Sequence, residues 1–243
     1  MRTVQTDQGP FCCWDVDDIT RALEKGAFWD EHLCPSMDAV VSPDAWAIDL
    51  GANIGWFTVY LARRFARVLA VEAHPETARL LRQNLTANSV ANVDLVCAAA
   101  YDTHRFLEVG SSTVHGADLG TLADLDQCHH VAGLSFMEDP ALFHEGHLWR
   151  VPTVLVDDYV PDGVPVALIK IDVQGAALRA LKGLTRTIAR CRPVLIVEYE
   201  ANVSLHRGDD WPDYEDFLRQ HGYRWSRLNG PWEDFLCTPE EQA

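Results

Sequence analysis

Short apolar runs alternate along the chain with longer stretches in which apolar residues recur at helical spacing. The first pair is the apolar run 46–50, which a glycine turn separates from the helical pattern of residues 56–65. The pair then repeats, with an apolar run at 68–71 and a helix that begins at Pro75. Strands joined in this way by helices lie parallel in one sheet, so the pattern predicts an α/β domain.

The same reasoning predicts the remaining elements of the fold. Apolar runs predict strands at 93–98, 151–156, 166–171 and 193–197, and helical spacing predicts helices at 176–188 and 211–221. Residues 223–228 and 234–237 are predicted to close the sheet as an antiparallel hairpin. We therefore expect a doubly wound, mostly parallel sheet with helices on both faces.

Two segments depart from this alternation, and we expect both to belong to a single domain over residues 1–243. Residues 1–44 are expected to form a helical lead-in, because residues 15–26 have acidic side chains early, a lysine late and a glycine stop. Residues 103–150 form an irregular insertion rich in glycine, histidine and polar side chains. Irregular segments of this length are usually functional, so we expect this one to cover a substrate site.

Charge restricts the partners that the chain can bind. Its net charge of −16 would repel a nucleic-acid backbone and an acidic membrane surface, and its cations are scattered. No stretch approaches the roughly 18 consecutive apolar residues that a membrane span requires. We therefore expect a cytoplasmic protein with no nucleic-acid or membrane partner. The oligomeric state is left open, with a homodimer as one alternative.

The residues that follow the first two predicted strands suggest a nucleoside site. Asp49, Gly51, Asn53 and Gly55 belong to the turn after the first strand, where glycines let the backbone approach a ligand closely. Glu72 ends the second strand, 23 residues after Asp49, and is placed to accept hydrogen bonds from both hydroxyls of a ribose. Ligands of doubly wound sheets bind at this edge, so we expect the turn and Glu72 to meet there.

The spacing of the glycines distinguishes between two kinds of nucleoside ligand. A dinucleotide site needs G-x-G-x-x-G, whereas this turn is G-x-x-x-G with an acidic residue before it. S-adenosylmethionine has a ribose and an adenine but no phosphate, and its α-amino group suits Asp49. An NAD(P)-dependent oxidoreductase remains the alternative enzyme. A structural alternative is that Asp49 and Glu72 only cap neighbouring helices.

Several motifs in order resemble the FkbM-type S-adenosylmethionine-dependent methyltransferases, at residues 48–55, 71–75, 81–85, 156–158, 169–175, 181–183 and 193–198. The resemblance implies a Rossmann-like, seven-stranded methyltransferase sheet and O-methylation of a small-molecule acceptor such as a natural product or sugar. It also implies that the cofactor is held by Gly51, Asn53, Gly55 and Glu72, with Ala73, Ala99 and Asp102 beside its adenine.

Two carboxylates are the candidates for catalysis. A hydroxyl acceptor gains nucleophilicity by losing its proton, so a base or a metal ion is useful. Asp172 follows the strand expected to border both ligands, and Glu198 ends the next strand. They could act as base and orienting partner, or hold Mg²⁺ through oxygen ligands. Asp172 could instead position the methionine end of the cofactor, and it is counted among the cofactor-binding residues as well.

The chain departs from the family pattern at Gln174, where family members commonly carry glutamate. Glutamine cannot act as a base, so a catalytically silent cofactor-binding protein stays a third alternative. Histidines of the 103–150 insertion match no zinc-finger spacing, and no metal-ligating residue is assigned.

Overall fold

A computed structural model describes residues 1–15, 18–110, 148–201 and 209–240. Its N-terminal segment comprises β1 (Arg2–Thr6), β2 (Gly9–Cys13), α1 (Asp18–Glu24), a 3-10 turn (Glu31–Leu33) and α2 (Cys34–Asp38). β1 and β2 pair as an antiparallel hairpin. The prediction of a helical lead-in is therefore wrong for its first 13 residues. Side chains alternate across a strand, and this hairpin buries Val4, Phe11 and Cys13 in one cluster with the helices that follow.

The described strands after this hairpin form two sheets. The main sheet contains seven: β3 (Trp46–Leu50), β4 (Arg67–Glu72), β5 (Val93–Cys97), β9 (Val166–Ile171), β10 (Val194–Glu198), β11 (Tyr223–Arg227) and β12 (Asp234–Pro239). The small sheet contains β6 (Ala99–Ala100), β7 (Phe106–Gly110) and β8 (Leu148–Val154). The seven-stranded main sheet confirms the predicted fold class.

The strand order shows at which edge of the main sheet a ligand can bind. The order is β11-β12-β10-β9-β3-β4-β5, in which the strands from β10 to β5 are parallel and β11 and β12 form an antiparallel hairpin. The chain runs outward from β3 in one direction and from β9 in the other. The switch point therefore lies between β3 and β9, where the carboxyl ends of both strands border a crevice.

Helices cover both faces of this sheet because successive strand residues point to opposite sides. They are α3 (Trp56–Ala62), α4 (Pro75–Ala87), α5 (Ala177–Lys182), α6 (Thr185–Cys191) and α7 (Trp211–Gln220). In β3, Ile48 packs in a cluster with α5, α6 and α7, while its neighbour Ala47 packs in a second cluster with α3 and α4. The prediction of two covered faces is confirmed.

The predicted helix 176–188 is two helices, α5 and α6, with Gly183 between them. A Cβ at Gly183 would overlap the carbonyl oxygen of Tyr101, so the chain needs glycine at this close approach. The second helix then starts against Asp157, whose carboxylate accepts from the N–H groups of Arg186 and Thr187, both at 2.8 Å. A side-chain cap of this kind makes a new helix start favourable.

The segment predicted as an irregular insertion is partly regular. β7 and β8 pair antiparallel, and β8 begins at Leu148 rather than at the predicted residue 151. β8 also belongs to the small sheet and not to the main one, which corrects the predicted placement of strand 151–156. Residues 111–147, which carry the predicted cover, lie outside the described residues.

Candidate functional site

The turn between β3 and α3 adopts backbone conformations that favour glycine. Gly51, Asn53 and Gly55 have φ angles of 76°, 49° and 90°. A Cβ at Gly51 would overlap the carbonyl oxygen of Asp172, so glycine lets the turn pack directly on the end of β9. The Gly51 N–H also donates to the Val71 carbonyl at 2.9 Å. The turn is thus held between β4 and β9 at the switch point.

The Glu72 carboxylate lies against this turn, which confirms the predicted adjacency. Its Oε2 accepts from the Asn53 N–H at 2.9 Å, and its Oε1 accepts from the His74 N–H at 2.8 Å. Glu72 is 6% exposed, and burial raises its pKa to about 7, although the two N–H groups oppose this shift. A carboxylate has about four acceptor positions. The two backbone donors therefore leave room for the two hydroxyls of a ribose.

Asp49 lies deeper than the other predicted cofactor residues. It is 1% exposed in β3, and its Oδ2 accepts from the Thr58 hydroxyl of α3 at 2.6 Å. Burial raises its pKa, while attraction to Lys170 opposes the shift. In the described part of the chain, its Oδ1 has no hydrogen-bond partner. The side chain joins strand to helix beneath the turn, and its contact with a cofactor amino group stays a prediction.

Two of the three residues predicted beside an adenine share one apolar cluster. Ala73 and Ala99 belong to one apolar cluster that also includes side chains of β7 and β8. Asp102 follows this cluster, and its Oδ2 accepts from Arg179 at 3.2 Å. Arg179 also binds Asp209 at 3.2 Å. The apolar pair therefore offers a surface for a flat ring, whereas the Asp102 carboxylate is already engaged in an ion pair.

The two predicted catalytic carboxylates meet at the ends of β9 and β10. Asp172 accepts from Lys170 Nζ at 2.9 Å and from Gln174 Nε2 at 3.4 Å. Burial would raise the pKa of Asp172, but the Lys170 ammonium, together with hydrogen bonds from Glu198 and Gln174, outweighs it and holds the pKa below its usual value. Burial and then the adjacent Asp172 raise the pKa of Glu198 well above its usual value. The two adjacent carboxyl groups therefore shift in opposite directions, with the pKa of Asp172 lowered and the pKa of Glu198 raised.

A family model for the methyltransferase FkbM domain matches residues 49–225, a range that contains the turn, Glu72, Asp172 and Glu198. The chain belongs to the FkbM methyltransferase family. This confirms the resemblance on which the sequence analysis rested.

Individual relatives of this FkbM domain agree with that assignment. The chain is 29% identical over 154 residues to Methyltransferase 1 of Beauveria bassiana, which covers 58% of this chain and 59% of the relative. It is 29% identical over 204 residues to Methyltransferase sdnD of Sordaria araneosa, which covers 76% of each. A crystal structure of methyltransferase FkbM from Methylobacillus flagellatus superposes with a TM-score of 0.52 at 18% identity, over 81% of this chain and 44% of that one. This superposition shows the shared Rossmann-like fold.

Further residues of the FkbM domain reach the edge that carries Asp172 and Glu198. β12 runs antiparallel to β10, so its first residue, Asp234, lies beside Glu198. His32 Nε2 is 2.6 Å from Asp234 Oδ2, and the Trp232 indole donates to Asp30 Oδ1 at 3.0 Å. We define the carboxyl cluster as the six ionisable residues here, namely Asp30, His32, Lys170, Asp172, Glu198 and Asp234.

Sequence reasoning missed four members of the carboxyl cluster, and one of them had a signal. Lys170 stands inside an apolar run and is 4% exposed, and a buried ammonium requires carboxylate partners. Asp30, His32 and Asp234 had no such signal, because the His32–Asp234 pair joins positions 202 residues apart.

Two further structural findings concern membranes and metals. Within the described ranges, no helix has the length and apolar character needed to cross a bilayer. Over the same ranges, no three His, Cys, Asp or Glu side chains are arranged to hold a metal ion. Metal assistance through Asp172 and Glu198 stays untested.

Proposed function

We propose that this FkbM domain binds S-adenosylmethionine and transfers its methyl group to a hydroxyl of a small molecule. The observation that carries the proposal is the contact of the Glu72 carboxylate with the Asn53 N–H. This contact supports the proposal because it holds a carboxylate directly against a glycine turn at the switch point of the sheet, where it could accept from ribose hydroxyls. Ala73 and Ala99 then provide the adjoining apolar surface for an adenine.

The residues present fit this cofactor better than they fit a dinucleotide. The groups beside the turn, Asp49 and Glu72, are acidic and would repel a pyrophosphate. The sulfonium and α-amino groups of S-adenosylmethionine are cationic. The acidic edge formed by Asp172 and its neighbours complements such a ligand, with Lys170 as a buried counter-ion.

Catalysis then depends on position and on proton transfer. When bound, the cofactor supplies an activated methyl group on its sulfonium. The protein has to hold the acceptor oxygen in line with that methyl and to remove the hydroxyl proton. Asp172 is a weak base because Lys170 stabilises its ionised form. We therefore assign Asp172 the role of an orienting group rather than that of the base. Burial and the adjacent Asp172 raise the pKa of Glu198 and so favour its protonated form, which can donate a hydrogen bond to an acceptor oxygen.

The charge of the chain supports a small acceptor. Its net charge of −16 opposes binding to nucleic acids, and the carboxyl cluster is polar rather than apolar. Carboxyl, imidazole and ammonium groups at one edge suit a hydroxylated molecule that both donates and accepts hydrogen bonds.

Calorimetry tests the cofactor assignment. We expect S-adenosylhomocysteine to bind and NAD⁺ and NADH not to bind. Glu72→Ala should weaken the binding of S-adenosylhomocysteine at least tenfold, since it removes the proposed acceptor for the ribose hydroxyls. Glu76→Ala is the matched control, because Glu76 is an exposed carboxylate four residues further along. Binding of NADH alone, or equal affinity in folded Glu72→Ala, would contradict the assignment.

Product formation tests the acceptor class. The protein is incubated with S-adenosylmethionine and glycerol, glucose, lactate, 4-nitrophenol or a primary amine, and S-adenosylhomocysteine release is measured. We expect release with hydroxyl compounds. Release with the amine alone would replace O-methylation by N-methylation and leave the cofactor assignment intact.

A further inference from the structure

The His32 imidazole is held at the carboxyl cluster by two contacts on the Nε2 side of its ring. Nε2 lies 2.6 Å from the Asp234 carboxylate, which is 6% exposed. The Cδ2–Nε2 edge packs on Gly230 so closely that a Cβ at residue 230 would overlap it. His32 is 14% exposed, and in the described part of the chain Nδ1 has no hydrogen-bond partner. One ring nitrogen is thus tied to a carboxylate, and the other makes no hydrogen bond within the described ranges.

The strand register places this imidazole beside the carboxylates of the proposed methyl-transfer site. Asp234 opposes Glu198 across β12 and β10, and β10 opposes β9 in parallel register up to Ile171, the residue before Asp172. Burial raises the pKa of Asp30 to about 6, and the charge of Asp172 contributes to this shift. His32 follows Asp30 by two residues. His32 therefore reaches this edge through its contact with Asp234, the cross-strand partner of Glu198.

Both carboxyl groups at the ends of β9 and β10 are already engaged by neighbouring side chains. Asp172 accepts from Lys170 Nζ at 2.9 Å, and Glu198 shares a side-chain hydrogen bond with Asp172. Imidazole is the side chain that enzymes use most often as a general base, and His32 is the imidazole at this cluster.

We propose that His32, oriented by Asp234, accepts the proton of the acceptor hydroxyl through Nδ1. The inference rests on the proposed function and assigns it a general base that lies outside the motifs of the family. The Asp234 carboxylate accepts from Nε2–H, which fixes the tautomer with a lone pair on Nδ1.

The step transfers one proton to His32 and one methyl group to the acceptor oxygen. The acceptor O–H proton moves to Nδ1 while the oxygen forms its bond to the methyl carbon. The carbon–sulfur bond breaks, and its electron pair stays on sulfur, which becomes neutral. His32 is left as an imidazolium paired with the Asp234 carboxylate, and it releases its extra proton to water after the products leave.

The tautomer of His32 can be tested without cofactor or acceptor. Long-range ¹H–¹⁵N NMR spectra of the ¹⁵N-labelled protein distinguish the two neutral forms of each imidazole, and His32→Gln identifies the signals of His32. We expect the proton on Nε2 and a bare Nδ1. A proton on Nδ1 in the wild-type protein would overturn the proposal.

Turnover supplies the second test. Glutamine at position 32 can still donate to Asp234 but cannot act as a base. We expect His32→Gln to lower turnover on glycerol or glucose by about 10²–10⁴-fold. Turnover on 4-nitrophenol at pH 8 should stay within about threefold, since this phenol is already ionised and needs no base. Affinity for S-adenosylhomocysteine should stay within about twofold, because the ribose site is separate.

The control variant is His104→Gln. His104 forms the other described His–Asp pair, with Asp158 at 3.3 Å, but it is 66% exposed. We expect wild-type turnover on both acceptor types. Equal losses on alcohol and phenol in His32→Gln would show a structural role and overturn the proposal. A wild-type protein that binds S-adenosylhomocysteine but methylates only the amine would refute O-methylation, whereas failure to bind it would refute the cofactor assignment.

Discussion

The two edges of the proposed active site are built in different ways. At the cofactor edge, Glu72 accepts from backbone N–H groups of Asn53 and His74, which lie 19 and 2 residues away in the sequence. At the carboxyl cluster, side chains pair with side chains, and His32 meets Asp234 across 202 residues.

This difference indicates which edge is able to change. A site made from backbone geometry within one strand–turn–helix unit is tied to the fold itself, whereas side chains on separate elements can be exchanged individually. We therefore expect cofactor binding to be sensitive to backbone changes and acceptor choice to be sensitive to single side chains.

The largest expected effect tests the backbone character of the cofactor edge. Gly51→Ala requires a positive φ and an overlap with the Asp172 carbonyl, and should lower the free energy of unfolding by about 4 kcal/mol. Gly163→Ala is the control: its φ is also positive, at 82°, but a Cβ there meets nothing within 4 Å. It should cost about 1 kcal/mol. Equal losses of unfolding free energy in urea denaturation would show that the close approach of Gly51 to the Asp172 carbonyl does not matter for stability.

The next effect concerns the buried carboxylate at the same edge. Glu72 has its pKa raised to about 7 in the folded protein, from 4.5. Protons bind the folded state more tightly, so its contribution to stability is full below about pH 4.5 and is lost as the pH rises through about 7.

The glutamine of Glu72→Gln cannot ionise. Between pH 5 and pH 8, the unfolding free energy of the wild type should therefore fall by about 3 kcal/mol more than that of the variant. Urea denaturation of both proteins without ligand at the two pH values measures this difference. Parallel pH profiles would show that Glu72 is not a buried acid of this kind.

A smaller effect tests how the N-terminal hairpin supports the turn. Asn84 is fully buried on α4, and its Nδ2 donates to the Ile54 carbonyl at 2.8 Å and to the Cys12 carbonyl at 2.9 Å. Asn84→Ala should lower the free energy of unfolding by about 2 kcal/mol and the affinity for S-adenosylhomocysteine about tenfold. Asn88→Ala loses a bond to the Pro10 carbonyl but none to the turn, and should leave the affinity unchanged. Similar affinities in both variants would show that the hairpin does not support the cofactor edge.

The smallest effect on stability belongs to the carboxyl cluster. Trp232 is 45% exposed, and Trp232→Phe removes its bond to Asp30 at a cost of about 0.5 kcal/mol. Thermal denaturation and calorimetry should show near wild-type stability and cofactor affinity. A marked loss of affinity would mean that the two edges are not independent.

The fold was largely predictable because its signals are local. Apolar runs, helical spacing and turn glycines are properties of neighbouring residues, and they predicted the strands of the main sheet and the turn beside Glu72. The errors arose where distant contacts decide. The N-terminal hairpin exists because it buries Phe11 against other elements, and the break between α5 and α6 exists because Gly183 meets the Tyr101 carbonyl.

The sequence by itself determined the order of strands and helices, the glycine turn and the carboxylate 23 residues after Asp49, since these follow from periodicity and backbone conformation. Only the tertiary structure decided which charges meet. β12 runs back along β10 and brings Asp234 beside Glu198, and the packing of the N-terminal segment brings His32 to Asp234. Such pairs depend on strand register and on the closure of long chain segments, which no local pattern specifies.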